Sequence, residues 1–331
     1  MIAYLAKRLL SSVITIIVIS MVCFVIINLP GGDVTSEYET RLQANYGYTR
    51  QAALVAGAAL QHQYGLDQPR PFQYVTWLRQ FVQGDFGISL VTFRPVADLI
   101  WERMLYTLIF AGLGLGVSWV VGITIGIYSA THQYAFSDYL ATFIGFLGLS
   151  IPDFLLALVL LTVSVLVFRT GLPTGLFSAQ YASAPWSWLK VRDLLGHLWI
   201  PMIVVGLPGA ASVLRIMRGN LLDVLGHQYI ETARARGLPE RSVIIKHAVR
   251  VAINPLISLI GVQFPLIISA GIVVSIVLGL PTVGPLLYDA LLSQDIYVSA
   301  TVLMLLGILL VIGNFIADLL LAWVDPRIRL A

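Results

Sequence analysis

The sequence predicts an all-α membrane protein with six transmembrane helices. Of its 331 residues, 58% are hydrophobic and 11% are charged, and the mean hydropathy is +0.87. Average soluble domains carry roughly 25% charged residues, which argues strongly against a soluble globular fold. A helix that crosses a bilayer needs about 20 mainly apolar residues, and six stretches of the chain meet that need. The predicted spans are residues 1–30, 104–129, 139–168, 198–215, 254–279 and 299–323.

The first predicted span, residues 1–30, starts with Lys7 and Arg8 before a long apolar run. A secretory signal peptide starts in the same way, but its apolar region is about 7–15 residues long and a small-x-small cleavage site follows it. The run here is longer, and no such site precedes Pro30. We therefore expect residues 1–30 to form a retained transmembrane helix.

The other predicted spans differ in whether charges or prolines interrupt the apolar stretch. Residues 104–137 and 251–288 carry no charge and hold spans two and five. Span four contains Pro201 and Pro208, and span six ends near Trp323.

The basic residues indicate that both termini lie in the cytoplasm. With the N-terminus inside, eleven of the twenty Lys and Arg residues fall in cytoplasmic segments, and seven of them lie between residues 215 and 250. Cytoplasmic loops collect Lys and Arg, so the N-in, C-in arrangement is favoured. It places residues 31–100 in a large first extracytoplasmic loop and residues 326–331 in a cytoplasmic tail. The Ala-rich stretch 52–59 of that loop could be helical, and the loop could form a small lid but hardly a separate binding domain.

The basic segment 218–250 is predicted to form two helices joined by a tight turn. Gly237 is the residue best able to end a helix in the left-handed conformation, and Pro239 prevents the helix from continuing. A second helix then begins at Glu240. The apolar stripe of the first helix consists of Leu222, Leu225, Tyr229 and Ala233, and that of the second of Val243, Ile244 and Ala248.

Two roles fit this segment from its residues alone. Small residues would let the backbone of another protein approach closely, and the neighbouring charges could pair with that protein. The small residues are Ala233, Ala235 and Gly237, and the charged ones are Glu231, Arg234 and Arg236. An amphipathic helix that binds anionic lipid explains the basic residues equally well. The residues leave both interpretations open.

The order Glu231-Thr232-Ala233, three further residues and then Gly237 resembles the EAA loop of ATP-binding-cassette (ABC) importer permeases. The stretch from Tyr229 to Leu238 is similar to the B-type subunits of the dipeptide, oligopeptide and nickel permease branch. One departure is Pro281-Thr282-Val283-Gly284, where that branch often has Pro-Gly-Leu-Gly. Other motifs of the branch extend over nearly the whole chain: Asn28-Leu29-Pro30-Gly31-Gly32-Asp33, Gly84-Asp85-Phe86-Gly87-Ile88-Ser89, Pro95-Val96, Ser150-Ile151-Pro152 and Asp325-Pro326-Arg327-Ile328-Arg329.

The resemblance implies a type I ABC importer permease fold, with the transmembrane domain at residues 101–325, in the cell (inner) membrane. It implies four kinds of partner: two ABC ATP-binding subunits, a second homologous permease in a heterodimer, an extracytoplasmic solute-binding protein and the lipid bilayer. ATP and Mg would be bound by the partner subunits. No cofactor, metal, catalytic residue or nucleic acid is expected on this chain. The residues expected to couple it to the ATPases are Tyr229, Glu231, Thr232, Ala233, Arg234, Arg236 and Gly237.

The implied solutes are di- and oligopeptides. The long polar first loop and the stretch Ala184-Pro185-Trp186-Ser187-Trp188 look more like members that carry oligosaccharides. Oligosaccharides and nickel chelates therefore remain alternatives for the same kind of transporter.

The sequence offers no ATPase or enzyme motif. A P-loop needs a lysine in the order G-x-x-x-x-G-K-[ST], and the three lysines, Lys7, Lys190 and Lys246, do not stand in that order. The five histidines lack the spacing of metal ligands, and Ser150 lacks the G-x-S-x-G surroundings of a hydrolase nucleophile. ATP hydrolysis is thus expected on separate subunits.

The remote alternative function is that of a secondary transporter, a class of protein in which polar residues within spans are functional. Structural roles are favoured for them here, and no internal repeat typical of secondary carriers is evident. Asp153 follows Pro152 at an expected helix restart, where a carboxylate suits the helix dipole. Gln263 precedes Pro265 and would bond to the backbone that the proline frees.

Asn314 and Asp318, four residues apart in span six, would bond to neighbouring helices. Ser269, Gly271 and Ser275 in span five could face a wet cavity, but small residues also mark helix packing, which we favour. The candidate translocation-path residues are Gln263, Ser269, Ser275 and Asn314.

Overall fold

The computed structural model describes residues 2–28, 34–167 and 174–324, and the regular elements in these ranges are helices. This confirms the all-α prediction for the described part of the chain. The N-terminal half contains α1 (Ile2–Asn28), α2 (Val34–Tyr46), α3 (Arg50–Gln63), α4 (Arg70–Val82), α5 (Val96–Thr131), α6 (Phe136–Ser150) and α7 (Asp153–Leu166). After the short α8 (Ala179–Ala182) come α9 (Trp188–Leu225), α10 (Gln228–Ala235), α11 (Glu240–Ser242), a π-helix (Val243–Val249) and α12 (Arg250–Ala252). The chain continues with α13 (Asn254–Leu278), α14 (Val283–Leu292) and α15 (Ile296–Val324).

Among the described residues, four helices are long and apolar enough to cross a membrane. They are Ala6–Ile26 within α1, all of α5 and α9, and Ile296–Leu320 within α15. Two bent helix pairs, α6 with α7 and Leu266–Leu278 with α14, raise the number to six if each pair is one span. The described helices therefore allow four to six spans, and the predicted number of six is the largest of these. Met1 and residues 29–30 of the first predicted span lie outside the described ranges.

The third predicted span, 139–168, consists of two helices with a break where a helix restart was expected. A new helix does begin at Asp153, as predicted, but α6 and α7 meet at an angle of 108°. They contain 15 and 14 residues, and at 1.5 Å per residue each is about 20 Å long, shorter than the roughly 30 Å hydrocarbon core. Residue 168 lies outside the described ranges.

Spans two and four are longer than predicted. Helix α5 begins at Val96 rather than near residue 104, and α9 runs for 38 residues without a break. Pro201 and Pro208 lie inside α9, so these prolines do not end the helix. Because lipid offers no hydrogen bonds to the backbone, helical continuity is favoured across the apolar region even at proline.

The chain divides into two compact units. Unit 1 contains residues 106–281 and the C-terminal end of α15, and unit 2 contains residues 2–105 and 282–311. In unit 1 the helices α5 and α9 approach closely at glycines. A Cβ atom on Gly122 would lie 2.7 Å from the carbonyl oxygen of Ala210, and one on Gly126 would lie 2.8 Å from Cβ of Met217. In a membrane, lipid is as apolar as leucine, so helices associate through close packing. Small residues at the crossing points allow that packing.

In unit 2 the predicted first loop is largely helical. Residues 52–59 lie within α3, which confirms the expectation of a helix there. The buried Asp295 accepts a hydrogen bond from Ser89 Oγ at 2.5 Å and thereby joins the Gly84-Asp85-Phe86-Gly87-Ile88-Ser89 stretch to the start of α15. Gly87 has a φ of +81°, and a Cβ there would lie 2.8 Å from the Tyr297 ring. The backbone conformation and the close ring explain why glycine stands at this position.

Candidate coupling site

The basic segment begins with a helix break that the sequence pattern did not indicate. Helix α9 ends at Leu225, Gly226 caps it, and α10 starts at Gln228. The predicted stripe through Leu222, Leu225, Tyr229 and Ala233 is therefore wrong, because its members lie on two helices. The face of α10 that is buried carries Ile230 and Ala233, whereas Tyr229 is 43% exposed.

The predicted Gly turn is confirmed. Gly237 has a φ of +74°, and its N–H donates to the carbonyl of Arg234 at 2.9 Å. Pro239 then stands immediately before α11. The helix that follows is not a plain α-helix, because residues Val243–Val249 form a π-helix, a rare form that is frequent at functional sites.

A buried apolar cluster, here called the coupling core, fixes α10 to the membrane helices of unit 1. Asn220 adds a polar link, since its Nδ2 donates to the carbonyl of Ala252 at 3.2 Å. A displacement of α10 would therefore be shared by α5 and α9, which contribute to the same core. The coupling core consists of Ala130, Val213, Met217, Leu221, Val224, Ile230, Ala233, Val243, Ala248, Ala252 and Leu256.

Ala233 is part of this core rather than of an open surface. It is only 8% exposed and packs with the rest of the coupling core. The interpretation of its small side chain as room for another protein's backbone is wrong in this respect. Its size instead allows α10 to lie close to its own neighbours.

The opposite face of α10 and the turn are open. Tyr229, Glu231, Thr232, Arg236 and Gly237 are all exposed. A Cβ atom on Gly237 would meet no atom within 4 Å. Within the described residues, Glu231 and Arg236 form no ion pair. This open face is polar and can accept a partner of complementary charge.

Arg234 is engaged inside the segment. Its Nη2 donates to Glu240 Oε1 at 2.7 Å, and its Nε donates to both carboxylate oxygens. This hydrogen bonding lowers the pKa of Glu240 and raises the pKa of Arg234. Because both side chains are largely exposed, the pair contributes little stability and serves mainly to hold α11 beside α10 across the Gly237 turn.

A second polar joint, absent from the sequence analysis, lies between α6 and α9. Arg218 on α9 binds Asp138 at the start of α6 with two hydrogen bonds, 2.9 Å from Nε and 2.8 Å from Nη2. Ser129 Oγ and the N–H of Tyr134 also donate to this carboxylate, which is 2% exposed. The partners are 80 residues apart in sequence, so no local pattern could have paired them.

The four candidate translocation-path residues do not share one environment. Gln263 is buried, and its Oε1 accepts a hydrogen bond from Trp119 Nε1 at 2.8 Å. The expectation that Gln263 bonds to freed backbone is therefore wrong. Ser275 is buried and its Oγ has no hydrogen-bond partner among the described residues, whereas Ser269 and Asn314 are exposed.

Gly271 supports the packing interpretation for span five. A Cβ atom at this position would lie 2.7 Å from Cε1 of Phe110 on α5. The absence of a side chain is thus used for the contact between α5 and α13.

Replacing Arg218 by methionine is expected to destabilise the protein. The change leaves the Asp138 carboxylate buried without its cation, at a cost of about 2–3 kcal/mol, since the guanidinium is partly exposed. Arg215→Met is the matched control, because Arg215 lies one turn earlier on the same helix and is exposed. Thermal unfolding in detergent, followed by tryptophan fluorescence, should give a lower Tm for Arg218→Met only. Equal melting temperatures for the two variants would show that the ion pair adds no stability.

Comparisons with known proteins agree with this arrangement of long apolar helices. The family model described as "binding-protein-dependent transport system inner membrane component" matches residues 122–330, more than half of the chain. A Brucella ovis protein provisionally named as a peptide permease is 35% identical over 99% of both chains. The oligopeptide transport system permease protein AppB of Bacillus subtilis is 35% identical over 99% of this chain and 100% of its own length. The glutathione transport system permease protein GsiC of Escherichia coli K12 is 31% identical over 99% of both. The chain therefore belongs to the family of inner-membrane components of binding-protein-dependent transport systems.

Proposed function

We propose that this chain is a translocation subunit of an ATP-driven ABC importer and forms half of a pathway for di- and oligopeptides. The observation that carries the proposal is the two-sided character of α10. Its inner face is fixed in the coupling core, and its outer face is open and polar. The peptide assignment is supported by relatives that align over almost all of this chain and carry peptide, oligopeptide or glutathione in their names.

The partners in this proposal are those that the resemblance to ABC importer permeases implies, and membership of the family supports them in general terms. Two separate ATP-binding subunits would bind ATP and Mg and perform the hydrolysis, and the lysines of the given sequence, none of them in P-loop order, agree with this. A second homologous permease, in a heterodimer, would provide the other half of the pathway. A solute-binding protein would deliver the peptide.

The geometry indicates how a motion of the ATP-binding subunits would reach the membrane. A partner that grips the exposed side of α10 moves the coupling core, and that core includes one end of α9, a continuous helix of 38 residues. The ion pair between Asp138 and Arg218 extends the joint to α6. Two arrangements of these helices, one favoured by ATP and the other by its absence, would then open the pathway to alternate sides.

The proposed activity can be tested in proteoliposomes that contain the whole complex. With ATP inside and loaded binding protein outside, labelled peptides should accumulate, and excess unlabelled peptide should reduce the signal more than an oligosaccharide does. Vesicles without the ATP-binding subunits serve as the control. Uptake that these control vesicles drive with an ion gradient would contradict the proposal, and uptake of oligosaccharide alone would contradict the solute class.

Gly237→Val should abolish uptake while membrane insertion stays intact. A left-handed conformation costs an L-residue roughly 1–2 kcal/mol, and more for a β-branched one, so the turn between α10 and α11 would change shape. Gly237→Asn is the matched control, because asparagine tolerates this conformation and nothing lies within 4 Å of the added Cβ. Uptake by the asparagine variant should stay near the wild-type level. Wild-type uptake by the valine variant would refute the role of the turn.

Glu231→Ala should weaken the attachment of the ATP-binding subunits. Glu231 is exposed and forms no ion pair within the described part of the chain, so the change removes a contact to a partner without disturbing the coupling core. The measurement is the recovery of the ATP-binding subunits when the tagged permease is purified. Asp98→Ala, an exposed carboxylate at the start of α5, provides the control. Equal recovery from both variants would count against the role of Glu231.

A further inference from the structure

Helix α4 in unit 2 presents apolar side chains on two opposite faces. Tyr74, Trp77 and Phe81 point towards neighbouring helices and loops of the same unit. On the other side Phe72, Val75 and Val82 are 62%, 61% and 79% exposed. Their spacing of three and seven residues puts them on a single stripe of the helix, which also includes the exposed Arg79.

The inner face of α4 lies against the last turns of α1. The hydroxyl of Tyr74 is 2.7 Å from Ser20 Oγ, and its ring centroid is 5.5 Å from that of Phe24. Trp77 lies 6.0 Å from the same ring and packs against the buried pair Cys23 and Ala300. At the start of α4, Arg70 donates to the side chain of Asn28, the last residue of α1.

These contacts give the depth of α4 relative to the membrane. The apolar span of α1 ends at Ile26. At 1.5 Å per residue, Ser20 lies about 9 Å inside that end. Interfacial helices bury their apolar side about 5–10 Å into the boundary between headgroups and acyl chains. The contact of Tyr74 with Ser20 lies within this depth. Trp77 contacts Cys23 and Phe24 roughly 3–5 Å inside the same end of the span. Tyr and Trp are also the residues enriched at this level.

The exposed residues of α1 at the same depth support this placement of α4. Met21, Val22, Val25 and Ile26 are exposed apolar residues within or at the end of the span. In a membrane such residues contact lipid, because leaving them in water would be unfavourable. The stripe on α4 is exposed at the same level as they are.

We propose that α4 is a membrane-interface helix whose stripe of Phe72, Val75 and Val82 contacts lipid at the leaflet where α1 ends. Arg79, in the middle of the stripe, extends its charged end to the lipid phosphates while its stem stays on the apolar surface. The first loop, for which a small lid was considered, thus includes a helix that is held in the bilayer surface. This proposal depends on α1 crossing the membrane and is independent of the transported solute.

Spin labels can test the proposal because the chain has one cysteine, Cys23. In a Cys23→Ala background, a nitroxide is attached at Val75→Cys in the complete complex, reconstituted in phospholipid vesicles. Val22→Cys on α1 is the lipid reference, and Val55→Cys on α3, which is 69% exposed, is the water reference. The ratio of collision rates with oxygen and with a water-soluble nickel chelate should be similar at Val75 and Val22. It should be at least about threefold higher there than at Val55, because the label sits below the headgroups.

Two results would overturn the proposal. Collision with the nickel chelate as frequent at Val75 as at Val55 would place the stripe in water. Low collision rates with both reagents would show that another protein subunit covers it. Val82→Cys provides a second position on the same stripe if the first variant does not assemble. Because the readout is a collision rate, it does not depend on peptide uptake, and a failure here would leave the proposed function untouched.

Discussion

The burial of Ile230 and Ala233 in the coupling core is the interaction on which the shape of α10 depends. Helix α10 has only eight residues, and isolated helices shorter than about 12 residues are marginal in water. Its shape must therefore come from packing, and the coupling core supplies that packing through the π-helix, which contacts both α10 and α9. Because one face is fixed in this way, the other is held in a defined orientation towards the cytoplasmic partner that we propose.

Within unit 1, the same need for close contact governs the membrane helices. Gly122 and Gly126 let α9 touch α5, and a Cβ on Gly148 of α6 would lie 2.6 Å from Leu207. Such packing resists sliding, since the side chains on the facing helix have nowhere to move. The buried pair of Asp138 and Arg218 adds a directional bond beside the apolar contacts. A force on α10 would thus move a group of helices and not one loop.

A feature of the fold or of the candidate site could be predicted from the sequence when neighbouring residues determine it. Gly237 and the restart at Asp153 were predictable, because glycine and proline fix the backbone at their own positions. The break at Gly226 was not, because its φ of −83° needs no glycine and the apolar spacing continues through it. The pair of Asp138 and Arg218 was not predictable either, because its two residues are 80 apart in sequence. Pro152 marks the break between α6 and α7, but it does not give the angle of 108° between them. Composition gave the apolar helices, but it could not show which of them bend.

Like α10, helix α4 takes its position from packing against neighbouring helices. Its own sequence therefore gives little indication that it lies at the membrane surface. Its Arg, Gln and Thr residues give it the composition of a soluble helix, and its length of 13 residues is too short for a span. Only the contacts of Tyr74 and Trp77 with α1 reveal the depth at which it lies. Once that depth is known, the exposed Phe72, Val75 and Val82 no longer represent apolar surface left in water. They continue the lipid-facing surface of α1.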